Sequence, residues 1–259
     1  CMSYQMIRVA EARGVTTITM ARPAVLNALN AAMRIELTQA IRAAATESRV
    51  VVLTGEGRGF CSGQDMSGGR GLPGSEVERT LREEYEPLVA AIAECPVPVI
   101  AAVNGAAAGA GANLALVCDV VIACESAFFA QVFTRIGLLP DAGGTWALPR
   151  HVGLARAMGM ALFADRIPAR QAADWGLIWE AVPDAEFAAT VEARAAALAA
   201  GPTVALRAVK TALRASFAND LPAQLALETR LQRECGNTRD FREGVSAFLE
   251  KRAPSFYGV

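Results

Sequence analysis

Histidine is almost absent from this chain of 259 residues, which contains a single one, His151. A metal site that needs two imidazoles is therefore excluded, and a histidine-based catalytic triad has one candidate. His151 lies beside Arg150 and close to Gly153, a setting typical of a surface or helix-capping residue. We therefore expect no metal site, and any acid–base chemistry has to come from other side chains.

An excess of one charge is also lacking, because 25 basic residues are balanced by 26 acidic ones. Nucleic-acid binders normally carry an excess of Lys and Arg, so no nucleic-acid partner is expected. Hydrophobic residues make up 53% of the chain, which excludes a disordered protein because there is enough apolar surface to offset the entropy cost of folding. The length predicts one large α/β domain, or one domain with a small appendage.

Paired cysteines and a secretory leader are missing too. No Cys-x-x-Cys pair occurs, and the first residues show no apolar stretch behind a basic start, which predicts reduced thiols and a cytoplasmic location. Residues 95–118 carry no charge, but prolines, glycines and asparagines interrupt them, so a strand, a glycine turn and a buried helix are expected rather than a membrane span. The cysteines are Cys1, Cys61, Cys95, Cys118, Cys124 and Cys235.

Strand and helix patterns alternate through the first half of the chain. Apolar or alternating runs predict strands over 5–10, 15–21, 49–54, 97–103, 120–123 and 127–130, the first two as a hairpin. Helices are predicted over 30–46 with Asn30 as the N-cap, over 76–93 after a Gly/Ser/Pro-rich loop at 67–75, and across 113–117. This order is typical of βαβ-like units around a mostly parallel sheet, with the loops that follow the strands on one edge.

After about residue 150 the sequence becomes predominantly helical. Helical periodicity extends over 186–200, 203–217, 222–234 and 239–249. The shift divides the chain into a core over 1–195 and a helical C-terminal region over 196–259.

Two glycine-rich loops follow buried strands, at 59–65 and 104–111. Neither matches a dinucleotide or P-loop motif. Glycine lets the backbone approach a ligand closely, and the second loop opens a helix whose first amides are unpaired and carry positive potential. Two such loops at neighbouring strand ends can aim one N–H each at a single oxygen and form an oxyanion hole, although close packing alone also explains the glycines.

Four segments resemble the crotonase (enoyl-CoA hydratase/isomerase) superfamily: RPxxLNAL at 22–29, GFCSGQD at 59–65, AAVNGxAxGAG at 101–111 and GLLPDAGGT at 137–145. The resemblance spans essentially the whole chain and implies an α/β fold with a ββα spiral core and a helical C-terminal trimerisation region. It also implies a homotrimer or dimer of trimers, and no cofactor beyond the coenzyme A of an acyl-CoA substrate. The thioester oxygen would lie between the backbone amides of Gln64 and Ala110.

The acid–base groups of this superfamily vary, and here they depart from the hydratase pattern. Typical hydratases carry two glutamates at the positions of Asn113 and Phe133, neither of which exchanges a proton with water at neutral pH. The carboxylate left in the signature loops is Asp141, which is either an N-cap for the helix that follows or an acid/base whose pKa is raised by an apolar pocket. The resemblance favours the catalytic interpretation.

The overall pattern is most similar to the isomerases that convert ring-1,2-epoxyphenylacetyl-CoA to an oxepin. It therefore implies an acyl-CoA isomerase that acts through a thioester enolate, on this ring epoxide, on 3-enoyl-CoA to give 2-enoyl-CoA, or on both. Two alternatives remain open: a 2-enoyl-CoA hydratase with non-standard acid–base residues, and a non-catalytic acyl-CoA-binding relative.

Several further residues are candidates for substrate binding. Arg22 and Lys251 are candidate partners of the coenzyme A phosphates, and Asp65 is expected to orient or stabilise its loop rather than carry a proton. Phe133 is a candidate wall of the acyl pocket. The predicted binding set is Arg22, Ser62, Gly63, Asp65, Gly109, Asn113, Phe133 and Lys251.

Overall fold

The computed structural model describes residues 4–67 and 73–259. Cys1 and residues 68–72 of the predicted loop at 67–75 lie outside the described residues. The strands are β1 (Ile7–Ala12), β2 (Val15–Met20), β3 (Val50–Gly55), β4 (Gly59–Cys61), β5 (Val99–Val103), β6 (Ala106–Ala108), β7 (Val120–Cys124), β8 (Phe128–Ala130), β9 (Arg166–Pro168) and β10 (Glu180–Val182).

The helices follow the same order. They are α1 (Ala31–Glu47), α2 (Gly74–Thr80), α3 (Glu86–Ala93), α4 (Ala110–Val117), α5 (Gly144–Phe163), α6 (Ala169–Asp174), α7 (Phe187–Ala199), α8 (Thr203–Ala215), α9 (Leu221–Gly236) and α10 (Arg239–Glu250). Short 3-10 turns cover Pro23–Val25 and Val132–Ile136, and a π-helical turn, Leu81–Tyr85, joins α2 to α3.

Two sheets form the core. The larger has the order β1-β2-β3-β5-β7-β10, parallel except for the β1–β2 hairpin, and the smaller has the order β4-β6-β8-β9, parallel except for β8–β9. Each of β3, β5 and β7 is followed by one short strand of the smaller sheet and then by helix, so a ββα unit recurs. The predicted mostly parallel α/β arrangement is confirmed.

The helix predicted from Asn30 shows how local sequence builds this fold. Asn30 Oδ1 accepts a hydrogen bond from the amide of Met33 at 2.8 Å and so satisfies one of the unpaired donors at the start of α1. Met33, Leu37 and Ile41, spaced at helical intervals, are fully buried against the sheet. The segment predicted as a helix over 76–93 is helical throughout, and it contains the π-helical turn that ends at the buried Tyr85.

The four predicted C-terminal helices are confirmed as α7 to α10. The predicted boundary between 195 and 196 lies within α7, whose Ala195 and Ala199 pack against the second face of the larger sheet. The division into two regions stays a prediction. Within 4–67 and 73–259, no helix combines the length and the apolar character that crossing a membrane requires.

Candidate active site

The two glycine-rich loops meet where β4 and β6 run side by side. Gly63 adopts a φ of +94° and Gly109 a φ of +54°, conformations that favour glycine. A Cβ atom added to Gly63 would lie 2.9 Å from the carbonyl oxygen of Ala108 and 3.4 Å from the amide nitrogen of Ala110. Glycine at 63 therefore lets the first loop approach the start of α4 closely.

The amides of Gln64 and Ala110 both lie at this junction. Leu29 donates to the carbonyl of Gly63 at 2.8 Å and accepts from the amide of Asp65 at 3.1 Å, so the intervening Gln64 amide faces away from Leu29. Ala110 is the first residue of α4, where helical geometry leaves the N–H unpaired. Among the described residues neither amide donates a hydrogen bond.

The side chain of Gln64 is held by two residues that sequence reasoning missed. Tyr85 Oη donates to Gln64 Oε1 at 2.6 Å, and Arg34 Nη1 donates to the same oxygen at 2.9 Å. Arg34 is itself 3% exposed, paired with Glu84 at 2.5 Å and stacked 4.9 Å from the ring centroid of Tyr85. No sequence motif indicates these two residues, because Arg34 and Tyr85 belong to separate helical segments.

Asp141 lies in the loop before α5. Its Oδ1 is buried and has no hydrogen-bond partner among the described residues. Burial raises the pKa of this carboxyl to about 6, against a small opposing effect of its own backbone N–H. The charge of Asp141 also contributes, after burial, to raising the pKa of Tyr85, which places the two side chains in one neighbourhood.

The alternative interpretation of Asp141 as a helix cap is wrong. The N-cap of α5 is Gly143, in the left-handed region with a φ of +82°, and no side chain caps that helix. The backbone carbonyl of Asp141 instead accepts the amide of Gly144 at 2.8 Å, which leaves its carboxyl free of any capping role.

Asn113 occupies the next turn of α4 and is fully buried. Its Nδ2 donates to the carbonyl oxygen of Asp141 at 2.8 Å, and its Oδ1 accepts from Gln131 Nε2 at 2.8 Å. Both ends of the Asn113 amide are therefore used inside the protein. Gln131 was not singled out from the sequence, and nothing in its sequence neighbourhood points to this contact.

Asp65 has the opposite environment to Asp141. Arg22 Nη1 lies 2.8 Å from its Oδ2, and the amide of Ser67 donates to its Oδ1 at 2.9 Å. These contacts, those from Ser67 first, lower the pKa of the carboxyl to about 2. They favour the interpretation of Asp65 as a loop stabiliser, and they engage the guanidinium of Arg22, which also donates to the carbonyl of Ala28 at 2.5 Å.

The remaining candidates are divided between the site and the surface. Ser62 Oγ donates to the carbonyl of Val25 at 3.1 Å, and the ring of Phe133 lies 3.8 Å from a Cβ added to Gly109. Lys251 is exposed at the end of α10, and no contact among the described residues joins it to the two loops. No three His, Cys, Asp or Glu side chains in the described ranges are arranged to hold a metal ion.

Comparison with known proteins identifies the family to which this chain belongs. The family model for enoyl-CoA hydratase/isomerase matches residues 10–258. The chain belongs to the enoyl-CoA hydratase/isomerase family. The crystal structure of an enoyl-CoA hydratase from Bacillus anthracis superimposes with a TM-score of 0.93 at 33% identity, covering 98% of this chain and 100% of that one. The predicted family and its crotonase fold are thereby confirmed.

Two curated relatives in the enoyl-CoA hydratase/isomerase family carry different reaction names. A Rhodobacter capsulatus protein named "Probable enoyl-CoA hydratase" is 64% identical over 99% of this chain and 100% of its own. The 1,2-epoxyphenylacetyl-CoA isomerase of Escherichia coli is 46% identical over 95% of this chain and 96% of its own. The chain is thus an enzyme of this family, and an acyl-CoA thioester substrate is consistent with it.

Proposed function

We propose that the protein is an acyl-CoA isomerase that works through a thioester enolate, with Asp141 as the acid/base. The observation that carries this proposal is the half-buried Asp141 carboxyl, whose Oδ1 is buried without a hydrogen-bond partner among the described residues and whose pKa is raised to about 6. A carboxyl with these properties is ionised often enough near neutral pH to take a proton and basic enough to hold it.

The amides of Gln64 and Ala110 provide the second half of the mechanism. An enolate carries its negative charge on the thioester oxygen, and fixed N–H donors stabilise that charge at the moment it forms. We propose that these two amides bind the oxygen. The acceptor-free geometry of both amides and the close approach of their loops at Gly63 support this assignment.

For a 3-enoyl-CoA substrate, one proton is moved within the molecule. The carboxylate of Asp141 takes a proton from C2, the electron pair is delocalised onto the thioester oxygen, and the double bond moves into conjugation as the same proton returns at C4. One base is sufficient for both steps. This fits a site in which Asn113 and Phe133 occupy the positions of the two hydratase glutamates.

We propose the ring epoxide of phenylacetyl-CoA as the second candidate substrate of the same isomerase. Its support is the 46% identity to the 1,2-epoxyphenylacetyl-CoA isomerase of Escherichia coli. Opening of the epoxide to an oxepin is also an isomerisation, so it needs no co-reactant, and the same two amides would stabilise the charge on the thioester.

Hydration of 2-enoyl-CoA is the competing function, and the 64% identity to the Rhodobacter capsulatus relative favours it. Hydration needs an acid and a base to activate water, and the side chains at 113 and 133 provide neither. Rapid hydration of crotonyl-CoA would decide for this alternative. Absence of turnover with every thioester, together with binding, would decide for a non-catalytic acyl-CoA-binding relative.

The test is a panel of thioesters assayed with the wild type and with Asp141→Asn. The panel contains trans-3-hexenoyl-CoA, the ring epoxide of phenylacetyl-CoA and crotonyl-CoA. We expect isomerisation by the wild type and a kcat lower by about 10²–10⁴-fold in Asp141→Asn, the usual contribution of an acid–base residue, with substrate binding retained. The matched control is Asp165→Asn, an exposed aspartate after α5. Near-normal turnover by Asp141→Asn contradicts the proposal.

We also propose that the chain acts as a homotrimer or dimer of trimers in the cytoplasm, without a cofactor other than the substrate's coenzyme A. The C-terminal helices support assembly, because large apolar side chains there are exposed in the single chain and would be buried by a partner. They include Val209, Leu213, Phe217, Phe241 and Phe248. Light scattering on the purified protein tests the oligomeric state.

A further inference from the structure

Two buried side-chain amides lie beside Asp141, the proposed proton carrier, and take no part in the proton transfer. Gln131 and Asn113 are both 0% exposed. Gln131 Nε2 donates to Asn113 Oδ1 at 2.8 Å, and Asn113 Nδ2 donates to the backbone oxygen of Asp141 at 2.8 Å. The two side chains thus form a short chain of hydrogen bonds that ends on the peptide of Asp141.

We propose that Asn113 and Gln131 are positioning residues that hold the 141–142 peptide in one orientation and thereby aim the Asp141 carboxyl. The proposal rests on the proposed role of Asp141 as the acid/base and deepens it. A carboxyl that must reach C2 and C4 of one substrate has to be held closely, because a misplacement of about 1 Å costs about 100-fold in rate.

The orientation of the Asn113 amide is determined by its neighbours. Its Oδ1 accepts a hydrogen bond from Gln131 Nε2, and the carbonyl oxygen of Asp141 can only accept, so the Asn113 Nδ2 must be on the side of Asp141. The space beside it is also filled, since a Cβ added to Gly144 would collide with Asn113 Nδ2. Neither a flipped amide nor another rotamer of Asn113 preserves both hydrogen bonds.

The loop that these amides hold has an unusual backbone. Ala142 and Gly143 follow Asp141 with φ values of +47° and +82°, and a non-glycine residue in this region carries strain. The carbonyl of Asp141 accepts both Asn113 Nδ2 and the amide of Gly144, each at 2.8 Å. Two donors on one carbonyl oppose a flip of the peptide that follows it.

The Oε1 atom of Gln131 indicates why the side chain at this position is an amide. Gln131 Oε1 is buried without a hydrogen-bond partner among the described residues, which costs stability. An apolar side chain of similar size, such as methionine, would avoid this cost. The hydrogen bond from Nε2 to Asn113 is the contact that an apolar side chain would lose, and it accounts for an amide at this position.

The test compares Asn113→Asp and Gln131→Met with the wild type, all as full-length protein. Asn113→Asp keeps the acceptor for Gln131 and loses the donor to Asp141. Gln131→Met loses the donor to Asn113 without introducing a charge, and it decides the question if Asn113→Asp does not fold. Asn237→Asp, an exposed residue after α9, is the matched control.

Two readouts are needed. Steady-state kinetics with trans-3-hexenoyl-CoA should show kcat lower by about 100-fold in Asn113→Asp and about 10-fold in Gln131→Met, with KM changed less than about threefold, because the carboxyl is misplaced while the oxyanion-hole amides are intact. Hydrogen–deuterium exchange of a peptide covering 141–144 should become faster in both variants and stay unchanged in Asn237→Asp. A merely structural role would lower the melting temperature and leave kcat intact.

Each outcome decides something. Unchanged kcat in Gln131→Met, or unchanged exchange at 141–144, overturns the positioning role. Full turnover by Asp141→Asn overturns the proposed function instead, and the exchange measurement, which needs no substrate, then still reports whether the amides hold the loop.

Discussion

The loop after β4 and the loop before α5 each contribute an aspartate to the neighbourhood of Gln64, and the two carboxyls have opposite surroundings. Asp65 is paired with Arg22 and accepts the amide of Ser67, and its pKa falls to about 2. Asp141 is half-buried, its Oδ1 is inaccessible and has no hydrogen-bond partner among the described residues, and its pKa rises to about 6. The same side chain thus has a lowered pKa in one loop and a raised pKa in the other, because solvation and partners decide its pKa, and we propose only the second as a proton carrier.

The pH dependence of activity is the first difference expected between Asp141 and Asp65. If the ionised form of Asp141 takes the proton, kcat/KM rises with pH through a pKa of about 6. It should then be about tenfold lower near pH 5 than near pH 8, since only about a tenth of the carboxyl is ionised one unit below its pKa. Initial rates with trans-3-hexenoyl-CoA measure it. A flat pH profile across this range would show that a group other than Asp141 takes the proton.

Removal of the charge at Asp65 should have a smaller effect. Asp65→Asn loses the pairing with Arg22 but removes no proton carrier, so we expect kcat to fall by less than about tenfold, below the contribution of an acid–base residue. The measurement is kcat beside that of Asp141→Asn in the same assay. An equal loss of kcat in Asp65→Asn and Asp141→Asn would contradict the different roles of the two aspartates.

Stability should also distinguish the two carboxyls, because replacing Asp141 should stabilise the fold while it lowers the activity. A carboxyl whose pKa is raised on folding destabilises the protein above that pKa and has no effect below the unfolded value. Asp141→Asn should therefore increase the free energy of unfolding by about 3 kcal/mol near pH 8 and by less than about 1 kcal/mol near pH 4. Urea unfolding at the two pH values tests this. An equal gain at both values would show that the raised pKa is not its cause.

The fold was predictable where elements are long and periodic. The hairpin of β1 and β2, helix α1 with its cap at Asn30, and α7 to α10 all follow from spacing. Of the five three-residue strands in the described ranges only β8 was predicted, and β4, β6, β9 and β10 were not, because so short a run gives little periodicity. They form because distant segments pair, as β4 does with β6.

The site was predictable to a similar extent. Asp141, Gln64 and Ala110 were selected from motifs, and the structure brings the loops of Gln64 and Ala110 together, while their catalytic roles stay predictions. Tyr85, Arg34 and Gln131 were missed because each acts on the site through a contact with a residue 18 to 30 positions away. Hydrogen bonds between separate elements leave no local pattern in a sequence.

The sequence by itself determined which chemistry is available: one histidine, two glycine-rich loops, and an aspartate at the position where the proposed mechanism places its proton carrier. The tertiary structure alone decided which aspartate has a raised pKa, and it turned the Asn113 amide toward the Asp141 peptide. The reason is physical. A residue type determines which protons can be exchanged, but desolvation and hydrogen-bond geometry, which set the pKa and the aim of a carboxyl, exist only after distant segments have packed.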